Sequence, residues 1–509
     1  PEEYDWDERN NQTKYPEGVQ GMYTTSENSN QLWYLGNTGP SFPQDYWIEG
    51  LGWLAEQDTN LKPEDRPGFI SWWDYGFWAI DIGEHPTVAD NFQFGYQIAG
   101  NFIASQSEHE AMALLLYRLI EPEVDRSSES FGSELRTELL VYLSEDNVTE
   151  LETIISNPKD YIPKKADGSD QDVHHKNAAI RAGKPILMTI EKNDIADLMW
   201  KVEQITGHSI RYFAADTRLM PYSASNTGIL YAPVTLADYD ISNFVEVQAA
   251  LSNGQTVPFD EAIEILKDNP EVQVSSQELV YKDKFLNSMF FRSFLGWSAP
   301  DIGRPIEDGI PGVSGTIAQN QALPPLPGWN LTHFKLVQYN SGLRILKYYD
   351  GATVFGTVST PDGDPVVNAN ITVLDEYRVP HGRATTDVNG QYSVLAPAGN
   401  LTLAVSMGTP SEDIEKVFMT SNNLLVRKEN VIISEEQAMR QTSGAINIDL
   451  EVEPASVTGR LFWDNNKDDT FDSGDDTVPL IPITATNVRS EVTRTVTTDS
   501  NGNYEFTGL

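Results

Sequence analysis

An eight-residue signature occurs twice in the last third of this 509-residue chain, as Thr385-Thr386-Asp387-Val388-Asn389-Gly390-Gln391-Tyr392 and Thr497-Thr498-Asp499-Ser500-Asn501-Gly502-Asn503-Tyr504. A repeat this specific marks tandem units of one kind. Gly356-Thr357-Val358 opens the first unit and Gly459-Arg460-Leu461 the second, and from Gly351 onward short β-rich runs alternate with turns. The Asn-Gly pairs read as type I′ hairpin turns. Two antiparallel β-sandwich modules are therefore expected, over 351–452 and 453–509, the second ending after fewer strands than a sandwich needs. A large core domain remains at 43–350, behind a polar, irregular lead-in at 1–42.

The core reads as mainly helical α/β. Gln44 to Glu56 places Trp47, Leu51 and Leu54 at helical spacing, with an acid near its start. The proline-bearing stretch Lys62 to Pro67 stops that helix, and Gly68-Phe69-Ile70-Ser71 forms a short strand. Asp90-Asn91 is placed to cap the next helix, Gln97 to Leu119, which Ser107 and Glu110 restart as a capping box. Glu129 to Leu143 and Thr149 to Ile155 are further helices. The charged loop Asp160 to Lys176 holds His174-His175, whose adjacent rings point to different faces and suit solvent better than a metal. Pro185 to Ile190 reads as a strand, Asp194 to Thr206 as a helix closed by Gly207, and Ile210 to Ala214 as a second strand; that order predicts a parallel pair with a right-handed crossover. Residues 231–280 are less periodic and read as an insertion with a helix at Asp260 to Leu266. A helix at Lys284 to Phe294, a proline-rich loop at Pro324 to Pro327, and strands at Phe334 to Tyr339 and Leu343 to Tyr349 complete the domain. The expected fold class is multidomain α+β: a helical α/β core with a short, partly parallel sheet, then tandem antiparallel sandwiches.

Seventy-five acids against 35 bases give a net charge of −40, which argues against nucleic acid or an anionic membrane surface as partners and suits cation-rich surroundings. The absence of cysteine excludes disulfides, thiolate chemistry and Cys-type zinc sites. No apolar run approaches the roughly 20 residues needed to cross a bilayer. The chain begins at Pro1 and reads as part of a longer protein. Five N-x-S/T sequons, at Asn11, Asn147, Asn330, Asn370 and Asn400, hint at an extracytoplasmic location.

Two polar segments leave strand ends, one at Asp74 and one at Asp216, and ligands gather at such ends when the strands are parallel. Neither is followed by a Gly-rich phosphate loop, so a dinucleotide site is not implied. The first, Trp72-Trp73-Asp74-Tyr75-Gly76, is poor core sequence, because indole N–H groups and a carboxylate need partners when buried. Preceded by a helix, a proline-bearing turn and a short strand, it resembles the signature of the oligosaccharyltransferase catalytic subunit, most closely the archaeal AglB type. The resemblance extends through 83–91, 211–231 and 334–351. It implies transfer of a lipid-linked oligosaccharide to asparagine in N-x-S/T sequons on the extracytoplasmic face of the cell membrane. It also implies that Trp72, Trp73 and Asp74 bind the sequon hydroxyl while Tyr75 and Gly76 shape the turn. Such a pocket is physically suited to binding a hydroxyl, since indole donors and a carboxylate acceptor satisfy it, and an analogue lacking it leaves them unpaired.

A second family motif should supply Asp-x-x-Lys or Met-x-x-Ile. Asp216 is followed at that spacing by Leu219, and Met220 by Ser223. In the later helix Asp283 and Lys284 are adjacent, and Arg292 stands where isoleucine is expected after Met289. Asp216, Arg218, Met220, Lys284 and Met289 are the candidates for this support. The family's catalytic acids and its Mn²⁺ or Mg²⁺ belong to loops between transmembrane helices, so the expectation is a soluble C-terminal part that binds acceptor polypeptide but is inactive without its membrane domain and lipid-linked donor.

In the tail, Asp464, Asn466, Asp468, Thr470, Asp472 and Asp475 occupy positions 1, 3, 5, 7, 9 and 12 of a calcium-type loop, with Asp469 where that loop prefers glycine. The bland alternative is an acidic turn. The two modules resemble carboxypeptidase-regulatory-like and SdrD-B-like repeats of surface proteins, which act as spacers or stalks. A non-enzymatic modular surface or adhesive protein is therefore the competing reading, and a carbohydrate hydrolase lacks a second carboxylate placed opposite Asp74.

Overall fold

The computed structural model describes residues 43–294, 331–406 and 424–506 apart from positions 91, 93, 94, 126, 225, 227, 377, 378, 443, 444, 453–456 and 487–492, together with two-residue strands at 6–7 and 12–13. The proline-rich loop and most of the lead-in lie outside these residues. The architecture is the mixed α+β expected, a helical front followed by antiparallel strands.

Helix α1 (Asp45–Ala55) buries Trp47, Leu51 and Leu54, and strand β1 (Gly68–Ile70) is wholly buried. β1 pairs in parallel with β2 (Ile210–Asp216), Phe69 opposite Tyr212, while β2 pairs antiparallel with β4 (Leu343–Tyr348), and β4 with β3 (Phe334–Tyr339). The sheet is therefore partly parallel, but its parallel pair is β1 with β2 and not the expected pair of Pro185 to Ile190 with Ile210 to Ala214, so the connection is the entire helical region between β1 and β2. The strand expected at Pro185 to Ile190 is instead the end of α2 (His175–Leu187) and the turn after it. A short apolar run cannot be told from a buried helix segment by periodicity, and here Ile180, Gly183 and Leu187 continue the buried stripe of the helix. The helix after it, α3 (Lys192–Thr206), ends as expected at Gly207, with φ 74°.

The helix expected over Gln97 to Leu119 is two, α4 (Tyr96–Ala104) and α5 (Glu108–Ile120). Ser107 caps α5 by accepting from the Glu110 N–H at 3.1 Å, and the Glu110 carboxylate reaches past it to the Gln106 N–H at 2.7 Å. Asp90 does not cap α4: Gly95, at φ 70°, holds that position, and the Asp90 carboxylate accepts from Phe92 N–H. Residues 245–281 form a three-stranded antiparallel sheet with the helix Phe259–Asp268, around a small cluster of Ala249, Leu251, Ala262 and Val272. The apolar helix at 284–294 is broken at Ser288 into Asp283–Asn287 and Met289–Phe294.

The first module packs two sheets over one core, including Val354, Val358, Ile371, Leu403 and Val405. Its turn is not type I′. Gly390 is left-handed at φ 73° but Asn389 is not, so the Asp387–Gly390 turn is followed by a left-handed glycine rather than built on two left-handed residues. The same holds for Asn501-Gly502. In the tail the described strands form separate two-stranded pairs, 457–460 with 503–506, 462–463 with 476–477 and 482–486 with 493–497.

A buried polar junction ties α5 and the start of α3 to the segments flanking β3 and β4. Glu108 pairs with Lys192 at 2.8 Å and accepts the N–H groups of Thr332 (3.0 Å) and His333 (2.7 Å). His333 Nδ1 donates to the Tyr349 carbonyl at 2.9 Å, while its Nε2 is buried without a partner. Burial would raise the Glu108 carboxyl, but the Lys192 charge and these donors hold it down at about 2, and burial pulls His333 down to about 4. Both groups make the folded chain bind fewer protons than the unfolded one. Stability present above pH 6.5 is therefore lost toward pH 4 through His333, and that present above pH 4.5 is lost toward pH 2 through Glu108, by roughly 3 kcal/mol each. In thermal unfolding followed from pH 7 to pH 3, His333→Asn should flatten the upper window and Glu108→Gln the lower one.

Candidate functional site

The motif begins in extended backbone and tightens into one 3₁₀ turn, Trp73–Tyr75, before Gly76 starts the helix Gly76–Asp81. Strand β1 thus ends in a turn with its aromatic groups packed against α1. Tyr75 is sandwiched by Trp47, with ring centroids 4.3 Å apart, and Trp78, at 5.6 Å. Trp72 is only 3% exposed, whereas Trp73 and Asp74 are half-buried and lie at the surface. The Trp72 side chain hydrogen-bonds Asp74.

Gly76 has an ordinary helical φ of −58°, so it is not required by turn conformation. Its role is close approach: a Cβ there would lie 2.1 Å from the Ala89 carbonyl oxygen and 2.6 Å from Asp90 Cα. The missing side chain lets the loop that includes Asp90 pass directly over the motif.

Asp216, at the carboxyl end of β2, is wholly buried. Its carboxylate accepts from Trp47 Nε1 (2.9 Å), Tyr46 OH (3.1 Å), Arg218 N–H (2.9 Å) and Arg218 Nε (3.2 Å). The Arg218 guanidinium lies over the Tyr75 ring at 4.7 Å, and its side chain is 40% exposed. Burial raises the Asp74 carboxyl above its ordinary range, opposed by the Arg218 charge and the Trp72 hydrogen bond. Burial and the Asp216 charge push the Tyr75 phenol far up, so it stays protonated.

The structure thus brings Asp216 and Arg218 to the motif. Met220 is fully buried after the turn Thr217–Leu219, to which its N–H is bonded. Lys284 lies over the Tyr239 ring at 4.5 Å and its carbonyl accepts from Gln106 Nε2; buried Met289 bonds the Ser105 carbonyl. Those contacts tie both residues to the α4–α5 junction and the Tyr239 segment. Tyr46 and Trp47 are the participants that sequence reasoning missed. Trp47 read only as an apolar helix position, although a buried indole N–H needs an acceptor.

In the tail, Asp464 accepts the N–H groups of Lys467 (2.5 Å) and Asp469 (2.9 Å), the Asn466 amide bonds Asp468 (3.0 Å) and Asp472 (3.1 Å), and Asp475 accepts Asn465 N–H (3.0 Å). Thr470 donates its N–H to Asp468 at 2.9 Å. Asp469 is left-handed, φ 60°, at the position that favours glycine. The donors suit Ca²⁺ in kind, but among the described residues no three histidine or acidic side chains converge as a metal-ligand set, either here or near Asp74.

Residues 25–117, which include the motif, match the AglB core domain family model. That segment is AglB-like. Residues 353–423 match the carboxypeptidase regulatory-like domain. Dolichyl-phosphooligosaccharide-protein glycotransferase 2 of Archaeoglobus fulgidus is 37% identical over 79 residues, 14% of this chain and 13% of the relative. The glycotransferase AglB of Haloferax volcanii is 38% identical over 68 residues, 13% of this chain and 6% of the relative. Serine-aspartate repeat-containing protein D of Staphylococcus aureus is 28% identical over 157 residues, 30% of this chain and 11% of that protein. The structure of A. fulgidus AglB in complex with an inhibitory peptide and a dolichol-phosphate aligns over 82% of this chain and 43% of that one, with 13% identity and a TM-score of 0.36. The chain therefore matches only a small part of the length of these curated relatives. Among the described residues no helix is long and apolar enough to cross a membrane.

Two glycines test the packing argument with opposite signs. Gly76→Ala should destabilise by roughly 1–3 kcal/mol through overpacking against Ala89. Gly52→Ala, in α1 with nothing within 4 Å of its Cβ, should stabilise by about 0.5–1 kcal/mol through helix propensity. Denaturant unfolding of the two variants reads both.

Proposed function

We propose that this chain is the acceptor-recognition part of an oligosaccharyltransferase, acting outside the cytoplasm on polypeptides that carry N-x-S/T sequons and on a lipid-linked oligosaccharide held by a membrane domain. The observation that supports this most is the AglB core match over the Trp72–Gly76 turn, together with that turn's place at the carboxyl end of β1. Trp73 and Asp74 present a donor and an acceptor at the surface, and Trp72 braces Asp74 from beneath. A threonine or serine hydroxyl would donate to Asp74 and accept from an indole N–H. On this reading the family's Mn²⁺ or Mg²⁺ belongs to the membrane domain, and no chemical step is assigned to the residues of this chain. The module similarity to serine-aspartate repeat proteins supports a spacer role for the tail and is the main support for the surface-protein alternative.

A photoreactive Asn-x-Thr peptide should label the chain near Trp73 and Asp74, and an Asn-x-Ala peptide should not. Asp74→Asn should weaken labelling by about tenfold, the worth of one charge-assisted hydrogen bond. With lipid-linked donor and Mn²⁺ or Mg²⁺ added, the chain alone should form no glycopeptide. Equal labelling by both peptides would sink the acceptor reading.

We also propose that Ca²⁺ draws the 464–475 donors together. At a hundredfold excess over its dissociation constant it should stabilise the tail module by about 2.7 kcal/mol, an effect removed by Asp464→Asn. Calorimetry in millimolar Ca²⁺, with Mg²⁺ as control, measures it; an unchanged profile rejects the proposal.

A further inference from the structure

The acceptor reading leaves the Asp216–Arg218 pair without a role. Asp216 cannot touch a substrate, since it is fully buried and four donors from three residues occupy its oxygens. What it can do is fix Arg218. Backbone N–H and side-chain Nε of the same arginine both bond the one carboxylate, so the guanidinium has a set direction rather than the freedom of a surface side chain. That direction lays it over the Tyr75 ring, one residue from Asp74, with 40% of the side chain still exposed.

We propose that Arg218, clamped by Asp216, is a positioning residue for Asp74, keeping that carboxylate charged and aimed at the acceptor hydroxyl. The inference rests on the acceptor reading for its purpose but not for its geometry. Among the described residues, the titratable and charged groups at this corner are Tyr75 on the same turn, Asp216 and Arg218 from the end of β2, Tyr46 from α1, and Asp90 from the loop that passes over Gly76. Both tyrosine phenols are pushed far up by burial and by the Asp216 charge and stay neutral. The Arg218 charge is the one that acts on Asp74, and removing the guanidinium leaves a half-buried carboxylate without its cation. A half-buried carboxylate that loses its cation takes up a proton more readily, and the protonated form is a poorer acceptor for a hydroxyl.

Carboxyl ¹³C NMR of the full chain labelled at aspartate, with Asp74→Asn identifying the resonance, follows the titration directly. Arg218→Gln should raise the Asp74 midpoint by about one pH unit. It should also cut labelling by the Asn-x-Thr peptide at pH 6, with recovery as the pH is raised to 8.5. Arg218→Lys, which keeps the charge, should restore most of the midpoint. An unchanged midpoint in folded Arg218→Gln overturns the proposal, and so does a loss of labelling that higher pH does not recover. If the native chain labels equally with Asn-x-Thr and Asn-x-Ala, the acceptor reading fails, while the NMR midpoint still decides the Arg218 assignment.

Discussion

A carboxylate with no exposure sits at the meeting point of three elements. Asp216 ends β2, Tyr46 and Trp47 reach it from α1, and Arg218 folds back on it from the following turn. Burying an unpaired carboxylate costs several kcal/mol even after relaxation, so α1 can dock on the sheet only with the indole and phenol donors in register with that charge. The register in turn depends on β4, which pairs Leu343 with Asp216 at the strand end, and on Asn340, whose amide donates to the Tyr46 carbonyl at 2.6 Å. Gly342 completes the fit, because a Cβ there would fall 2.7 Å from the Tyr46 ring. Shifting β4 by one residue would separate these partners together and turn its side chains to the opposite face.

The same economy of buried charge governs the passage into the first module. Asp350, fully buried, faces Arg211 at 3.0 Å, and Arg440 reaches back from the module to the Asp350 carbonyl at 2.9 Å and to Asp197. Lys335 donates to the Ala398 carbonyl at 2.8 Å, and His381 Nδ1 donates to the Leu331 carbonyl at 2.6 Å. These contacts are polar and largely shielded from water, so each lost partner leaves a buried group unsatisfied and costs more than the bond itself contributed. The module is thus docked on the core by specific pairing rather than by a broad apolar face.

What is legible in the sequence follows the strength of local signals. Trp47, Leu51 and Leu54 mark α1, and Gly207 marks the end of α3, because periodicity and a left-handed stop are properties of the segment alone. Pro185 to Ile190 misleads for a related reason: six residues with an apolar bias carry no length information, and the helix that absorbs them is declared only by its buried stripe. Asn389-Gly390 marks the place of a turn but not its type, since the dipeptide needs both positions left-handed only when the loop has two residues. Asp216 and Arg218 stand out in the sequence as polar residues after a strand, although neither meets the spacing of the second family motif. Their place is set by a long-range meeting with Tyr46 and Trp47, 170 and 169 residues away from Asp216 in the chain, which no local pattern encodes.

At the motif itself, most of the polar groups are spent internally. Trp47 and Tyr46 serve Asp216, the Trp72 side chain serves Asp74, and the Tyr75 phenol is walled in by two indoles. That leaves Trp73, the outer side of Asp74 and part of the Arg218 guanidinium at the surface. Such a set has the donor and acceptor chemistry to pair a hydroxyl. Asp216 offers no further acceptor, since its oxygens are already filled. Rigidity is what the arrangement supplies instead. Ring packing around Tyr75, the glycine contact beneath Ala89 and the clamped arginine all restrict motion around Asp74 before any ligand arrives, and a preorganised site loses less entropy on binding.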